Sequence, residues 1–195
     1  MLDFYSFPET LLKKAAQIKL LILDVDGVLT DGSLGLSNDL VSHKAFHVRD
    51  GFGIRQIIKE KILTAVITGR SSKLVAERAR ELKIDFLFQN QPDKLPVFNT
   101  LIQQLAISPQ AVAYMGDDLI DLPVIKQVGL SAAPADGYPF VRSHVDFVSN
   151  LPGGKGAVRE FCDLILAGKN RLIPICEQFL KNGDELPPDQ VFKLN

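Results

Sequence analysis

Aspartates gather at two points of this chain, each directly after a short apolar run. Asp24-Val-Asp26-Gly27 follows Ile18-Lys-Leu-Leu-Ile-Leu23, and Gly116-Asp117-Asp118-Leu-Ile-Asp121 follows Ala111-Val-Ala-Tyr-Met115. A carboxylate leaving a buried strand is costly unless hydrogen bonds or a cation take up its charge. Two residues apart on extended backbone, Asp24 and Asp26 share one side, and Gly27 lets the chain turn away. An Asx-turn closing the strand would account for this segment as well. Asp117, Asp118 and Asp121, three carboxylates within five residues, repel one another unless positive charge offsets them. Hard oxygen donors with few nitrogen or sulfur partners favour Mg²⁺ over Zn²⁺.

Two further segments carry groups suited to an anion. Val66-Ile-Thr68-Gly69-Arg70 ends an apolar run with a hydroxyl, a flexible residue and a cation. Thr68 can hydrogen-bond a phosphoryl oxygen and Arg70 can hold an anion, although a plain strand-to-helix turn has the same composition. Lys94 stands at the start of a helical pattern in Gln91-Pro-Asp-Lys94, a place where a solvated charge is the ordinary reading.

These groups need a frame to bring them together. Apolar runs without alternation at 18–24, 62–68, 86–88, 111–115 and 129–133 read as strands buried on both faces. Helical patterns lie between them at 53–60, 72–82, 92–105 and 121–127, with a helix at 9–17 before and another from 158 through 166 after. Alternating strand and helix predict an α/β fold, a doubly wound (Rossmann-like) parallel sheet. Open sheets of this kind bind ligands outside the C-terminal ends of their strands, where all four segments fall. Residues 31–48 break the rhythm with two alternating stretches joined by Ser37-Asn-Asp39, a β-hairpin signature. The tail from 168 to 195, punctuated by Gly183 and Pro187-Pro188, reads as partly irregular.

Composition narrows the partners. The 195 residues suit a single domain, 1–195, and 46% apolar with 23% charged residues excludes disorder and disulfide-framework classes. Lys plus Arg at 22 against Asp plus Glu at 23 leaves a formal charge of −1, which calls for neither nucleic acid nor an anionic membrane. Cys162 and Cys176 are the only two cysteines, and no apolar run approaches the ~18 residues of a membrane span. Reduced thiols and a cytoplasmic setting are expected.

In order and spacing, the four segments resemble the haloacid dehalogenase superfamily of phosphohydrolases, as DVDGVLTDG, TGR, the lysine of DKL, and GDDLID. The resemblance implies that Asp24 is a nucleophile forming an aspartyl-phosphate and that Asp26 is the general acid/base. It places Mg²⁺ on Asp24, the backbone carbonyl of Asp26, and Asp117, with Asp118 and Asp121 supporting the metal from nearby. Thr68 and Lys94 would bind the transferring phosphoryl group. Gaps of 44, 26 and 23 residues between Asp24, Thr68, Lys94 and Asp117 leave no room for the cap domain common in this superfamily.

Residues 10–170 are also similar to the capless sugar-acid phosphatases, sharing RDGFGIR, TGRSS, GDDLIDLP and GGKGAVRE. In RDGFGIR, two arginines and two glycines beside a helix start would make an anion-binding corner. The resemblance implies a homotetramer whose hairpins pack together and whose subunits cover one another's sites. Asp26, His47, Val48, Arg49, Asp50, Gly51, Arg55, Arg70, Arg78 and Lys94 would then contact substrate. Arg70 and Arg78, just over two helical turns apart, are expected to project from a similar side. Leu34, Leu36, Val41 and Phe46 are expected at the hairpin interface. The implied substrate is 3-deoxy-D-manno-octulosonate (KDO) 8-phosphate, cleaved in lipopolysaccharide precursor synthesis. A nonulosonate 9-phosphate is the enzymatic alternative, and an oligomerisation module the non-catalytic one.

Overall fold

Every one of the five apolar runs forms a strand, and a sixth strand follows them. The computed structural model describes residues 6–35 and 43–182. Strands β1 (Leu20–Leu23), β2 (Leu63–Ile67), β3 (Phe86–Phe88), β4 (Val112–Met115), β5 (Leu130–Ala133) and β6 (Phe147–Val148) form one sheet. Its order is β3-β2-β1-β4-β5-β6, and each neighbouring pair is parallel. The helices are α1 (Glu9–Ala16), α2 (Val48–Lys59), α3 (Lys73–Leu82), α4 (Leu95–Gln104), α5 (Leu122–Ile125), α6 (Pro139–Arg142), α7 (Ala157–Gly168) and α8 (Leu172–Asn182).

Successive β1 side chains point to opposite faces, and both faces are covered. Leu21 and Leu23 pack among Ile54, Ile57, Phe161 and Ile165, whereas Leu20 and Ile22 pack among Phe98, Leu101 and Val124. That two-sided burial is why the run shows no polar alternation. Fully burying one such side chain contributes about 1.5–3 kcal/mol. Helices α1, α2, α3 and α7 cover the first face, and α4, α5 and α6 the second. The described residues form no second sheet.

Several expected boundaries shift. Helix α2 begins at Val48 instead of residue 53, because His47 is extended at its N-cap and Asp50 supplies an acid to its first turn. The run RDGFGIR therefore lies within a helix and does not form a corner beside its start. Short strand β6 and helix α6 went unmarked in the sequence, and the tail forms helix α8 after Arg171. Pairing of the hairpin arms is seen at one antiparallel bridge, Gly35 with His43; Leu36 and Val41 lie outside the described residues. Phe46, expected at an interface, packs partly buried against the chain's own core.

Candidate active site

Strand order reverses across β1, whose neighbours β2 and β4 lead to crossovers on opposite sides. Leu23 pairs with both Val66 and Met115, so the three strands end at one level. Asp24, Thr68 and Asp117 emerge there together and line a cleft of about 310 Å³ with Asp26, Gly32, Leu34, Gly69, Arg70, Asp118 and Ile120. This is the crevice where open α/β sheets bind ligands.

Lys94 organises the floor. Its side chain is fully buried, and Nζ lies 2.9 Å from Asp24 Oδ1 and 2.6 Å from Asp121 Oδ1. Asp121 Oδ1 also accepts the Tyr114 hydroxyl at 2.5 Å. Its Oδ2 accepts the backbone N–H groups of Asp117 at 3.0 Å and Asp118 at 3.2 Å. Asp121 thus ties Lys94, on the α4 side, to the loop after β4. Asp118, exposed, caps the short turn Leu119–Asp121 by accepting the Leu119 N–H at 2.7 Å.

The electrostatics are unbalanced. Burial, with the repulsion of Asp121 behind it, raises Asp24 to about 7 despite the attraction of Lys94. Burial and the charges of Asp24 and Asp121 raise Asp117 to about 8. Burial works against the Lys94 ammonium, yet Asp24 and Asp121 outweigh it and its pKa goes up. Asp24, Asp117 and Asp121 each offer an oxygen within 4.8 Å of the other two. Three carboxylates against one ammonium leave a formal charge of −2, which one divalent cation cancels. The donors are all oxygen, the chemistry of Mg²⁺ sites. Both Asp121 oxygens already accept two hydrogen bonds each, which leaves Asp24 and Asp117 as the freer ligands.

Gly27 allows this close gathering. Its φ is +86°, and a β-carbon there would stand 2.2 Å from Asp117 Oδ2, so both the turn and the approach demand glycine. The shared GGKG run braces the same loop from behind: Gly154 N–H donates to Val28 O at 2.9 Å, and Gly153 N–H to Asp136 Oδ1 at 2.9 Å.

The remaining expected residues divide. Thr68 is buried at the cleft, and its hydroxyl oxygen lies 3.4 Å from the Arg70 N–H. Asp26 and Arg70 face each other at 4.0 Å. Arg78 does not project beside Arg70, since α3 starts only at Lys73 and Arg70 stays in the preceding loop. Arg78 instead pairs with Glu81 at 2.8 Å and lies over the Phe46 ring at 5.9 Å. The α2 residues sit apart from the cleft in this chain. Val48, Arg49 and Arg55 are exposed; Gly51 is buried against the Arg78 guanidinium. Asp50 is buried, accepting N–H groups from Gly156 at 3.3 Å and Arg159 at 2.8 Å. His47 Nδ1 lies 3.8 Å from Asp50 Oδ2.

Sequence reasoning missed Tyr114 and Lys44. Tyr114 reads as one more apolar strand residue. Lys44 ion-pairs with the Asp26 carboxylate. The signal that could have found it is the alternation in His43-Lys-Ala-Phe46, which puts Lys44 on the inward side with Phe46.

Comparison with known proteins agrees with this geometry. The haloacid dehalogenase-like hydrolase family matches residues 86–159. The 3-deoxy-D-manno-octulosonate 8-phosphate phosphatase of Escherichia coli K12 is 52% identical over 159 residues, 82% of this chain and 85% of that protein. The crystal structure of the Yersinia pestis phosphatase of the same name superposes with a TM-score of 0.83 at 48% identity, covering 85% of this chain and 89% of that one. The Moraxella catarrhalis phosphatase, solved with magnesium, phosphate and KDO, gives 0.86 at 38% identity over 89% of this chain and 99% of that one. With more than half its positions shared with such an enzyme over four-fifths of its length, the chain belongs to the 3-deoxy-D-manno-octulosonate 8-phosphate phosphatase family of the haloacid dehalogenase-like hydrolases.

Proposed function

We propose that this chain hydrolyses KDO 8-phosphate to KDO and inorganic phosphate, the reaction for which its relatives are named. The observation that carries the reading is the buried Asp24–Lys94–Asp121 constellation at a strand end, with Asp26 two residues on in the same cleft. A carboxylate oxygen of Asp24 attacks phosphorus, the bond from phosphorus to the sugar oxygen breaks, and Asp26 gives that oxygen its proton. Water then attacks the aspartyl-phosphate while Asp26 takes a proton from it, and phosphate leaves with Asp24 restored. Thr68 and Lys94 hold the transferring phosphoryl oxygens, and Lys94 offsets the approach of two negative groups. Mg²⁺, held by Asp24, Asp117 and the Asp26 carbonyl, supplies further charge neutralisation when bound.

The wider setting follows the same reading. The enzyme works in the cytoplasm as a homotetramer built from a single domain, with no nucleic-acid or membrane partner. No helix among the described residues is long and apolar enough to cross a membrane. A phosphate-release screen of purified protein against KDO 8-phosphate and nonulosonate 9-phosphates, with Mg²⁺ and with a chelator, tests the assignment. Mg²⁺-dependent release highest with KDO 8-phosphate supports it. Preference for the nine-carbon esters overturns the substrate, and no release from any ester overturns the activity.

A further inference from the structure

Asp26 is gripped from two sides by cations of different character. Lys44 Nζ bonds its Oδ1, and the Lys44 side chain is only 6% exposed. Arg70 Nε lies 4.0 Å from Oδ2, and the Arg70 side chain is 63% exposed. A buried ammonium loses its hydration and needs a fixed partner, whereas an exposed guanidinium keeps water and can move to a ligand. Lys44 is also tethered on both sides. His43 before it makes the bridge to Gly35, and Phe46 after it packs on the core. The returning arm of the hairpin is thereby pinned at two points around Lys44, the residue that reaches the Asp26 carboxylate.

An aspartate at a turn has several rotamers, and proton transfer to a leaving oxygen needs one of them held within hydrogen-bond reach. We propose that Lys44 is a positioning residue that holds the Asp26 carboxylate in the orientation for leaving-group protonation. The hairpin then serves the chemistry of its own chain through this arm, independent of any packing between subunits. The inference rests on the reading of Asp26 as the general acid.

The test is a double-mutant cycle of Lys44→Met and Asp26→Asn, with kcat/KM measured on two esters. One is para-nitrophenyl phosphate, whose leaving group needs little protonation. The other is KDO 8-phosphate or, should the wild-type chain leave that ester intact, whichever alkyl phosphomonoester a screen shows it to cleave. A wild type inactive on KDO 8-phosphate thus counts against the substrate assignment and leaves the Lys44 result readable. Lys44→Met is expected to lower kcat/KM at least tenfold more on the alkyl ester than on the aryl one. In the Asp26→Asn background it should cause no further loss on the alkyl ester, and Lys44→Arg should recover part of the rate. Equal losses on both esters, or a full additional loss in the Asp26→Asn background, would overturn the proposal: Lys44 would then serve the phosphate or the fold directly.

Discussion

Arg70 and Arg78 are eight positions apart and end in different environments. Arg70 stands at the lip of the cleft, mostly solvated; Arg78 is folded between α2 and α3, with 19% of its side chain exposed. Of the two, Arg70 alone lines the cleft. Arg70→Ala is expected to lower kcat/KM for KDO 8-phosphate about 10- to 100-fold, the worth of one charge-assisted hydrogen bond. On para-nitrophenyl phosphate, which has no carboxylate, the loss should be several times smaller. Parallel losses would instead assign Arg70 to the phosphate or to Asp26. A second expectation concerns the crowded acids. Repulsion from Asp24 and Asp121 makes a charged Asp117 costly without a cation. Asp117→Asn should therefore raise Tm in a chelator while abolishing the Tm increase that Mg²⁺ gives the wild type. A thermal-shift titration decides it, and a retained Mg²⁺ response would remove Asp117 from the metal. The acids are legible in the sequence because a charge ending an apolar run demands a reason. Lys44 is harder to see, since its partner lies 18 residues away across a hairpin.

Between elements, the junction of α2 with α7 shows what local reading cannot supply. Asp50 looks like part of an anion-binding run, yet its carboxylate faces inward, to the N-terminus of α7. Gly156 is the N-cap of α7 and Arg159 lies in its first turn, so Asp50 satisfies two N–H groups that have no partner within the helix. The partners are 106 and 109 residues apart in sequence, beyond the reach of any pattern. Asp50 makes this contact from the first turn of α2. Asp50→Ala should cost about 1–3 kcal/mol by leaving buried donors unpaired, or several degrees of Tm for a chain of this size. Unchanged melting would remove Asp50 from the brace and return it to the candidate substrate contacts. The five strands of the core were legible for the opposite reason: two-sided burial writes itself as an unbroken apolar run. The two-residue β6 and four-residue α6 are too short to carry a period.

At the scale of the molecule, the described residues leave the cleft open, and exposed apolar groups stand at and near its rim. Leu34 is 50% exposed, Leu119 50%, Ile120 48% and Tyr138 51%. Leu34 and Ile120 line the cleft itself, and the Tyr138 N–H donates to Asp117 O at 2.8 Å, which ties the Tyr138 backbone to the loop after β4. Apolar groups around a charged pocket leave its ions hydrated in an isolated chain, although phosphoryl transfer gains from excluding water. A neighbouring subunit would cover both the rim and the cleft. Light scattering of the purified protein should give the mass of four chains. Leu119→Glu with Tyr138→Glu should shift it to smaller species, because two carboxylates would be buried without partners. Activity on KDO 8-phosphate should fall with the loss of mass, more than activity on para-nitrophenyl phosphate, which asks nothing of a sugar-binding wall. A monomer that keeps its full rate on KDO 8-phosphate would mean that one chain closes its own site, and the apolar rim would then need another partner.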